Sequence, residues 1–423
     1  MILTKVNLQN FKIHQNTSIE PKKINIFIGP NGAGKSSILQ ALLILKKSLT
    51  QQAPMEFVTR DDSFDLGKYE DIARNGDVSK SLVIGIGGKQ TIPLKIERRK
   101  SADAEFRYSL TIKEGRRDAV FFKFKLLNLE AEFDSKRNNL TCTIKDTKEK
   151  KEFQPLSIQL DRNNPRFSLQ TNENPEYENF NRLFQNGEFT ETLLKNYHYI
   201  PYLRTAATYG VRLSPLQDEL ISKHLEETIS KTFSKLSKKP RLLDEVSDLM
   251  YNLWGKRVRP RNVDIFEENA REGITLDFLK NKFSNSIVHE GTGINQTVLL
   301  LTILTGSDRG SIIGIEEPEI HMHPKAQSKL AKIIMDISKL HSKQIMFTTH
   351  SEHMLYPFLA SVASRRRGSI KAEDLAIYYF EEDDYGGTNV NRLRVNEHGQ
   401  VNGGLKGFWD TDLDALSEFL GKK

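Results

Sequence analysis

Gly29-Pro30-Asn31-Gly32-Ala33-Gly34-Lys35-Ser36 fits the pattern G-x-x-x-x-G-K-[ST] at every position, and the reading of this chain turns on it. The apolar run Ile24–Ile28 precedes it and reads as a buried strand feeding a loop. Ser36 to Leu49, SSILQALLILKKSL, follows with apolar residues at helical spacing and lysines near its end. Strand, glycine loop and helix in that order make a phosphate cradle. Glycines let backbone N–H groups close around phosphate oxygens, and the helix N-terminus through Ser36 and Ser37 turns its positive dipole end toward them. Lys35 is placed to reach β- and γ-phosphates, and the Ser36 hydroxyl to ligate Mg²⁺. The bland alternative is a chance glycine turn.

Composition bounds what such a loop serves. The chain has 423 residues, room for two or three domains at roughly 150 residues each. Hydrophobic residues at 38% and charged residues at 28% fit a globular protein and exclude a disordered one. No stretch approaches the ~20 consecutive apolar residues of a membrane helix. The opening MILTKVNLQNFKIH has no signal-peptide core. The single cysteine, Cys142, excludes an internal disulfide and a cysteine-based zinc site, so a cytoplasmic setting is expected. A net charge of +7 permits a nucleic-acid partner without demanding one.

From about Leu82 to Leu169, short β-rich runs such as SLVIGI, FRYSLTIK and AVFFKFKLLNLEAEF alternate with Gly, Asn, Asp and Lys clusters, and predict an antiparallel lobe. Glu176 to Arg257 reads as helical, with Ser214-Pro215 as a helix start. After Thr292 come helix INQTVLLLTILTG, strand SIIGIE, helix PKAQSKLAKIIMDISKLH and strand QIMFTT, an alternation that implies a parallel sheet covered by helices. A hairpin (AIYYFEE, NRLRVNE) and a short terminal helix close the chain.

Three further constellations carry chemistry. Ile312–Glu319, IIGIEEPE, is an apolar strand ending in acids: Glu316 would hold Mg²⁺ and Glu317 would polarise a water as general base. The alternative is a solvated acidic turn. His350, ending QIMFTTH, could reach a γ-phosphate or that water, although a lone histidine is commonly structural. Gly291-Thr292-Gly293-Ile294-Asn295-Gln296 makes a second anion-binding helix N-terminus, or simply a cap.

Taken in order, GPNGAGKSS, EGTGINQT, IGIEEPEIHMHP and FTTHSEHML resemble the ATP-binding-cassette (ABC) type ATPases of the RecF and structural-maintenance-of-chromosomes (SMC) group. The nearest likeness is to prokaryotic AAA-family ATPases related to the overcoming-lysogenization-defect (OLD) proteins. Leu8–Lys12 (LQNFK) and Asp65–Ile72 (DLGKYEDI) resemble phrases of that group, and His198–Arg204 (HYIPYLR) does so more weakly. The likeness spans roughly residues 1–85 and 285–385. It implies an α/β P-loop head, a mixed sheet with helices on its faces, split by an inserted β-rich lobe and a helical subdomain. Residues 1–175 and 260–423 would form the two halves of the head, with 176–259 as a helical insertion. Two heads would sandwich two ATP molecules with Mg²⁺, as a homodimer or higher homo-oligomer. Gly29–Ser37 would bind nucleotide, Lys35, Glu317 and His350 would act in catalysis, and Ser36 and Glu316 would hold the metal. Gly291, Thr292 and Gly293 would face the partner's nucleotide as the signature motif, and His321–Pro324 would form the loop after the acids. The signature lacks the common Ser-Gly-Gly core, and Gln51 and Gln52 sit too close to the first helix to serve as the Q-loop glutamine.

OLD-family nucleases carry a Toprim domain after the head, and too few residues follow His350 for one here. Glu381–Asp384 reads as a charged hairpin loop. Asp410, Asp412 and Asp414 lack the glycine and final glutamate of a calcium loop. His321 and His323 have the wrong spacing for one helix face, which argues against zinc. The basic segments Arg98–Lys100, Arg116-Arg117, Lys256–Arg261 and Arg365–Arg367 read first as solvated faces. The expected function is ATP-gated closure that controls a separate effector, a nuclease or toxin, in anti-phage defence. An ATP-gated DNA clamp in repair or recombination is the alternative. The motor subunit of a membrane transporter is a poor third, since the insertion is large and no coupling surface is readable.

Overall fold

A computed structural model of the chain describes residues 1–50, 60–61, 64–96, 99–136, 139–153, 155, 157–161, 164–168, 175–184, 189, 192–202, 239–262, 274–280, 283–286, 290–366 and 368–404. Gln51, Gln52, Ser214-Pro215, Asp410, Asp412, Asp414 and the expected terminal helix lie outside them, as do Leu203, Arg204, Arg98 and Arg367.

Ile24–Ile28 is buried at all five positions because it runs through the middle of a six-stranded sheet. The order is Tyr197–Ile200, Ile312–Ile315, Gln344–Thr348, Ile24–Ile28, Leu375–Glu382, Thr388–Leu393. The first five strands are parallel and the last returns antiparallel. Side chains of these strands point alternately to two cores. Phe27, Ile312 and Met346 join the core with the helix Lys35–Thr50, whereas Ile26, Ile28, Ile313, Ile315 and Phe347 join a second one. The second core is filled from helices Pro240–Trp254, Thr292–Gly306, Pro324–Leu340 and Glu352–Ser364. Strands covered on both faces read as continuous apolar runs, as parallel strands do.

The β-rich region forms an eight-stranded antiparallel sheet whose far side is the hairpin Ile2–Phe11 and His14–Ile19. The lobe is therefore continuous with the chain's first strands, and Ile2–Phe11 pairs with Leu82–Ile96 rather than with the phosphate-loop strand. One face carries Ile84, Tyr108, Phe122, Phe124 and Phe133 into the core. The other carries cross-strand pairs such as Lys89–Glu105 at 2.6 Å and Lys125–Glu130 at 2.8 Å, as solvent-facing ladders do. The helix Pro175–Phe184 docks on the apolar face, with Phe184 edge-on to Phe124 at a centroid distance of 4.8 Å.

Within the span read as a helical insertion, Tyr197–Ile200 is an edge strand of the parallel sheet. Its Tyr197 hydroxyl crosses over Gly314 to donate to the Leu39 carbonyl at 2.8 Å. The helix Pro240–Trp254 packs in the second core, against the parallel sheet.

Candidate functional site

The phosphate loop leaves its strand through Gly29 at φ +138°, where a Cβ would stand 2.1 Å from the Phe380 carbonyl oxygen. Gly34, at φ +90°, would drive a Cβ into Ile13 and the His14 ring. Only glycine fits a positive φ against neighbours this close. Pro30, Asn31 and Gly32 are exposed, Ala33 and Lys35 are buried, and Ser36 opens the helix half-buried. The Ser37 N–H donates to the Gly34 carbonyl at 3.2 Å. Thr388, from the last strand, donates to the Ala33 carbonyl at 2.8 Å, tying the loop to the C-terminal hairpin.

Lys35 Nζ donates to the carbonyls of Gly29 at 2.9 Å and Pro30 at 2.6 Å, so the ammonium already lies inside the loop. Burial pushes it down to about 8, opposed by the negative charges of Glu317 and Glu319. The acids that follow the Ile312–Ile315 strand thus lie within electrostatic reach of the lysine.

His14 pins the loop from the first hairpin. Its Nε2 is 3.0 Å from the Gly34 carbonyl and its Nδ1 2.9 Å from the Thr17 hydroxyl. A carbonyl only accepts, so Nε2 carries the hydrogen and Nδ1 accepts from Thr17. Burial lowers this histidine to about 4, keeping the ring neutral.

Glu316, 3% exposed, accepts at Oε1 from Gln40 Nε2 at 3.0 Å and from the Tyr199 hydroxyl at 2.7 Å. Lys12 Nζ donates in turn to Gln40 Oε1 at 2.6 Å. Gln40 lies four residues after Ser36 on the same helix, so Ser36 occupies the helix face turned toward Glu316. A serine hydroxyl and a carboxylate brought to one side of a phosphate loop are hard oxygen donors suited to Mg²⁺.

Glu317 follows at φ +42°, its N–H 3.2 Å from the Thr348 carbonyl and 3.1 Å from the Thr348 hydroxyl. That fixes the acidic turn to the end of the neighbouring strand. His350, just past that strand, brings Nε2 to 3.9 Å from Glu317 Oε1. Burial, and then the Lys35 charge, lower the His350 pKa, with Glu317 opposing. Lys35, Glu316, Glu317 and His350 therefore meet at the carboxyl ends of three adjacent strands, where ligands of open α/β sheets bind.

The signature residues open a different helix, Thr292–Gly306. Gly291 caps the helix Thr292–Gly306 without a side-chain cap, and a Cβ on Gly293 would lie 2.4 Å from the His321 carbonyl. His321 belongs to the loop after the acids, with φ +61°. His323 Nδ1 accepts from the Lys325 N–H, capping the helix Pro324–Leu340. Gly293 thus packs against this loop, whereas the Gly291 carbonyl accepts from the Ile294 and Asn295 N–H groups of its own helix. The Glu381–Asp384 acids sit at a hairpin turn in which Asp383 Oδ1 accepts from the N–H groups of Tyr385 and Gly387. Gln40, Tyr199 and Glu319 take part in the cluster: Glu319 lies in the acidic run and Tyr199 in HYIPYLR, neither with an expected role, and Gln40 lies in no motif. The β-rich tetrapeptide YHYI before Pro201 is the one sequence signal that marks Tyr199 as strand-borne.

The sequence profile of the AAA ATPase domain matches residues 1–355, and the chain belongs to that family. Over part of its length it is also similar to RecF-type and Rad50-type ATPases. The DNA double-strand break repair Rad50 ATPase of Sulfolobus acidocaldarius is 34% identical over 85 residues, 20% of this chain and 8% of the relative. The DNA replication and repair protein RecF of Shouchella clausii is 26% identical over 106 residues, 24% of this chain and 28% of the relative. The matches thus span less than a third of either relative's length. Among solved structures, the Smc head bound to the C-winged helix domain of ScpA aligns over 94% of this chain and 99% of its own, at 15% identity and a TM-score of 0.44. The SMC head domain from Thermotoga maritima aligns over 93% and 100%, at 10% identity and a TM-score of 0.40. No helix among the described residues is long and apolar enough to cross a membrane.

Proposed function

We propose that the chain binds ATP at Gly29–Ser37 and hydrolyses it to ADP and phosphate, with two copies closing on two nucleotides. The observation that carries this reading is the meeting of Lys35, Glu316, Glu317 and His350 beside one glycine loop. On this reading Lys35 leaves the Gly29 and Pro30 carbonyls for the β- and γ-phosphates, exchanging neutral acceptors for charged ones. Ser36 and Glu316 would hold Mg²⁺, which when bound neutralises charge on the phosphate oxygens. Glu317 accepts the proton of the attacking water, and His350 orients that water or the γ-phosphate. Gly291, Thr292 and Gly293 meet the partner copy's nucleotide, as a helix N-terminus suits an anion.

Closure and reopening would control a separate effector, a nuclease or toxin, in a cytoplasmic anti-phage system. The names of the Rad50 and RecF relatives favour a second reading, an ATP-gated DNA clamp in repair. Phosphate release and chain mass, measured with ATP and Mg²⁺ for wild type and Glu317→Gln, test the shared core. The variant should bind ATP, accumulate as a closed dimer and lose turnover by about 10²–10⁴-fold, the usual worth of a general base. Unchanged phosphate release would remove Glu317 from its role. Salt-sensitive retention of DNA by the chain alone, requiring ATP, selects the clamp over the effector.

A further inference from the structure

Glu319, the third carboxylate of the acidic turn, has no part in the chemistry proposed above, yet it is 7% exposed and hydrogen-bonded to the histidine loop. We infer that Glu319 is a positioning residue: through Thr349 it clamps the loop bearing His350 onto the acidic turn, and so holds the imidazole at Glu317. The inference rests on the roles proposed for Glu317 and His350.

Two bonds converge on one oxygen. Glu319 Oε1 accepts from the Thr349 hydroxyl at 2.5 Å and from the His350 backbone N–H at 3.1 Å. The same Thr349 oxygen accepts from the Ser351 N–H at 3.0 Å. A second bridge closes on the far side of the histidine. Ser351 donates to Gln327 Oε1 at 2.5 Å, and Gln327 Nε2 donates to the Met322 carbonyl at 2.8 Å. His350 is therefore fastened through the residues on both sides of it, and both anchors lie on the stretch just after the acids. The Thr349 N–H, bonded to the Phe27 carbonyl at 3.0 Å, ties the same loop to the phosphate-loop strand.

Stability alone is a poor reason for this carboxyl. Taking a carboxylate out of water costs several kcal/mol. Burial raises Glu319 to about 7, the bonds to Thr349 and His350 opposing. Glu319 Oε2 is buried with no hydrogen-bond partner among the described residues. The hydrogen bonds that Oε1 accepts from other residues both come from the histidine loop. An amide at this position would keep that acceptor, whereas a methyl group would leave a hydroxyl and an N–H unpaired beside the catalytic histidine.

Steady-state phosphate release against ATP concentration, on the full chain, tests this with Glu319→Gln, Glu319→Ala, Thr349→Ser and Thr349→Val, each checked by thermal unfolding. Because small misplacements of a catalytic group cost up to about 100-fold, E319A and T349V should lower kcat about 10- to 100-fold with KM within about twofold. E319Q and T349S, which keep the acceptor and the donor, should stay within about threefold of wild type. If E319A does not fold, T349V decides. Wild-type kcat in T349V, or a fall in E319Q as deep as in E319A, overturns the inference. An inactive wild type, or turnover that survives Glu317→Gln, removes the underlying reading and this inference with it. Turnover that needs Glu317 but ignores Thr349 removes only the clamp.

Discussion

The Tyr199 hydroxyl donates a 2.7 Å hydrogen bond to Glu316 Oε1, so the edge strand Tyr197–Ile200 reaches the acid beside the phosphate loop. Gln40 brings a second donor to the same oxygen from the phosphate-loop helix. Lys12, its pKa lowered by burial with Glu316 opposing, completes the chain by donating to Gln40. Two separate elements thus bond this carboxylate directly, and Lys12 steadies one of the donors.

Tyr199→Phe removes one of those donors and little volume. If Glu316 holds Mg²⁺, loss of such an orienting partner should weaken apparent Mg²⁺ affinity or turnover about 10- to 100-fold. A Mg²⁺ titration of phosphate release at saturating ATP reads this. An unchanged midpoint and maximum would show that Tyr199 does not position the acid.

His14 predicts an acid limb in stability. Its ring stays neutral in the fold down to about 4, against 6.5 for the ordinary side chain. Between those values the unfolded chain binds a proton that the folded chain excludes, so stability falls as pH drops, by at most about 1.4 kcal/mol per pH unit from this group. Denaturant unfolding across this window should show a shallower slope for His14→Gln than for wild type. Equal slopes would assign the acid limb to other groups.

Lys35 predicts proton uptake on nucleotide binding. The buried amine titrates at about 8, and polyphosphate favours its charged form. Binding at about pH 9 should draw in a proton that binding near pH 7 does not, because at the lower pH the amine is already charged. Calorimetry of ATP binding in two buffers of different ionisation enthalpy measures the difference. Equal uptake at both pH values would take Lys35 out of phosphate contact.

Gly293→Ala sets two effects against each other. Alanine in place of glycine favours a helix by about 0.5–1 kcal/mol. The new methyl would stand 2.4 Å from the His321 carbonyl, a backbone atom that cannot swing aside. Overpacking of this kind typically costs about 1–3 kcal/mol, so a net loss of stability is expected in urea unfolding. A gain would mean that the loop after the acids yields readily.

The glycine loop and the acidic strand were legible because their chemistry demands residue types at fixed local spacing. Lys35 and the acids accordingly appear together at one sheet edge, and the helix–strand alternation after Thr292 gives parallel strands. Gln40 and Tyr199 were not legible, since each acts as a single side chain on an acid far away in sequence and leaves no spacing to read. The pairing of Ile2–Phe11 with Leu82–Ile96 escaped for a related reason: antiparallel partners are set by tertiary register, not by either strand's own pattern. Tyr197–Ile200 was absorbed into a helical span because four residues at a sheet edge show too little period to stand out.

A crystal structure of Glu317→Gln grown with ATP and Mg²⁺ tests the shared site most directly. The expected result is one triphosphate in the glycine loop, Lys35 Nζ moved from the Gly29 and Pro30 carbonyls onto its β- and γ-oxygens, and Mg²⁺ between Ser36 and Glu316. A nucleotide seated elsewhere, or Lys35 still bonded to those two carbonyls beside a filled loop, contradicts it.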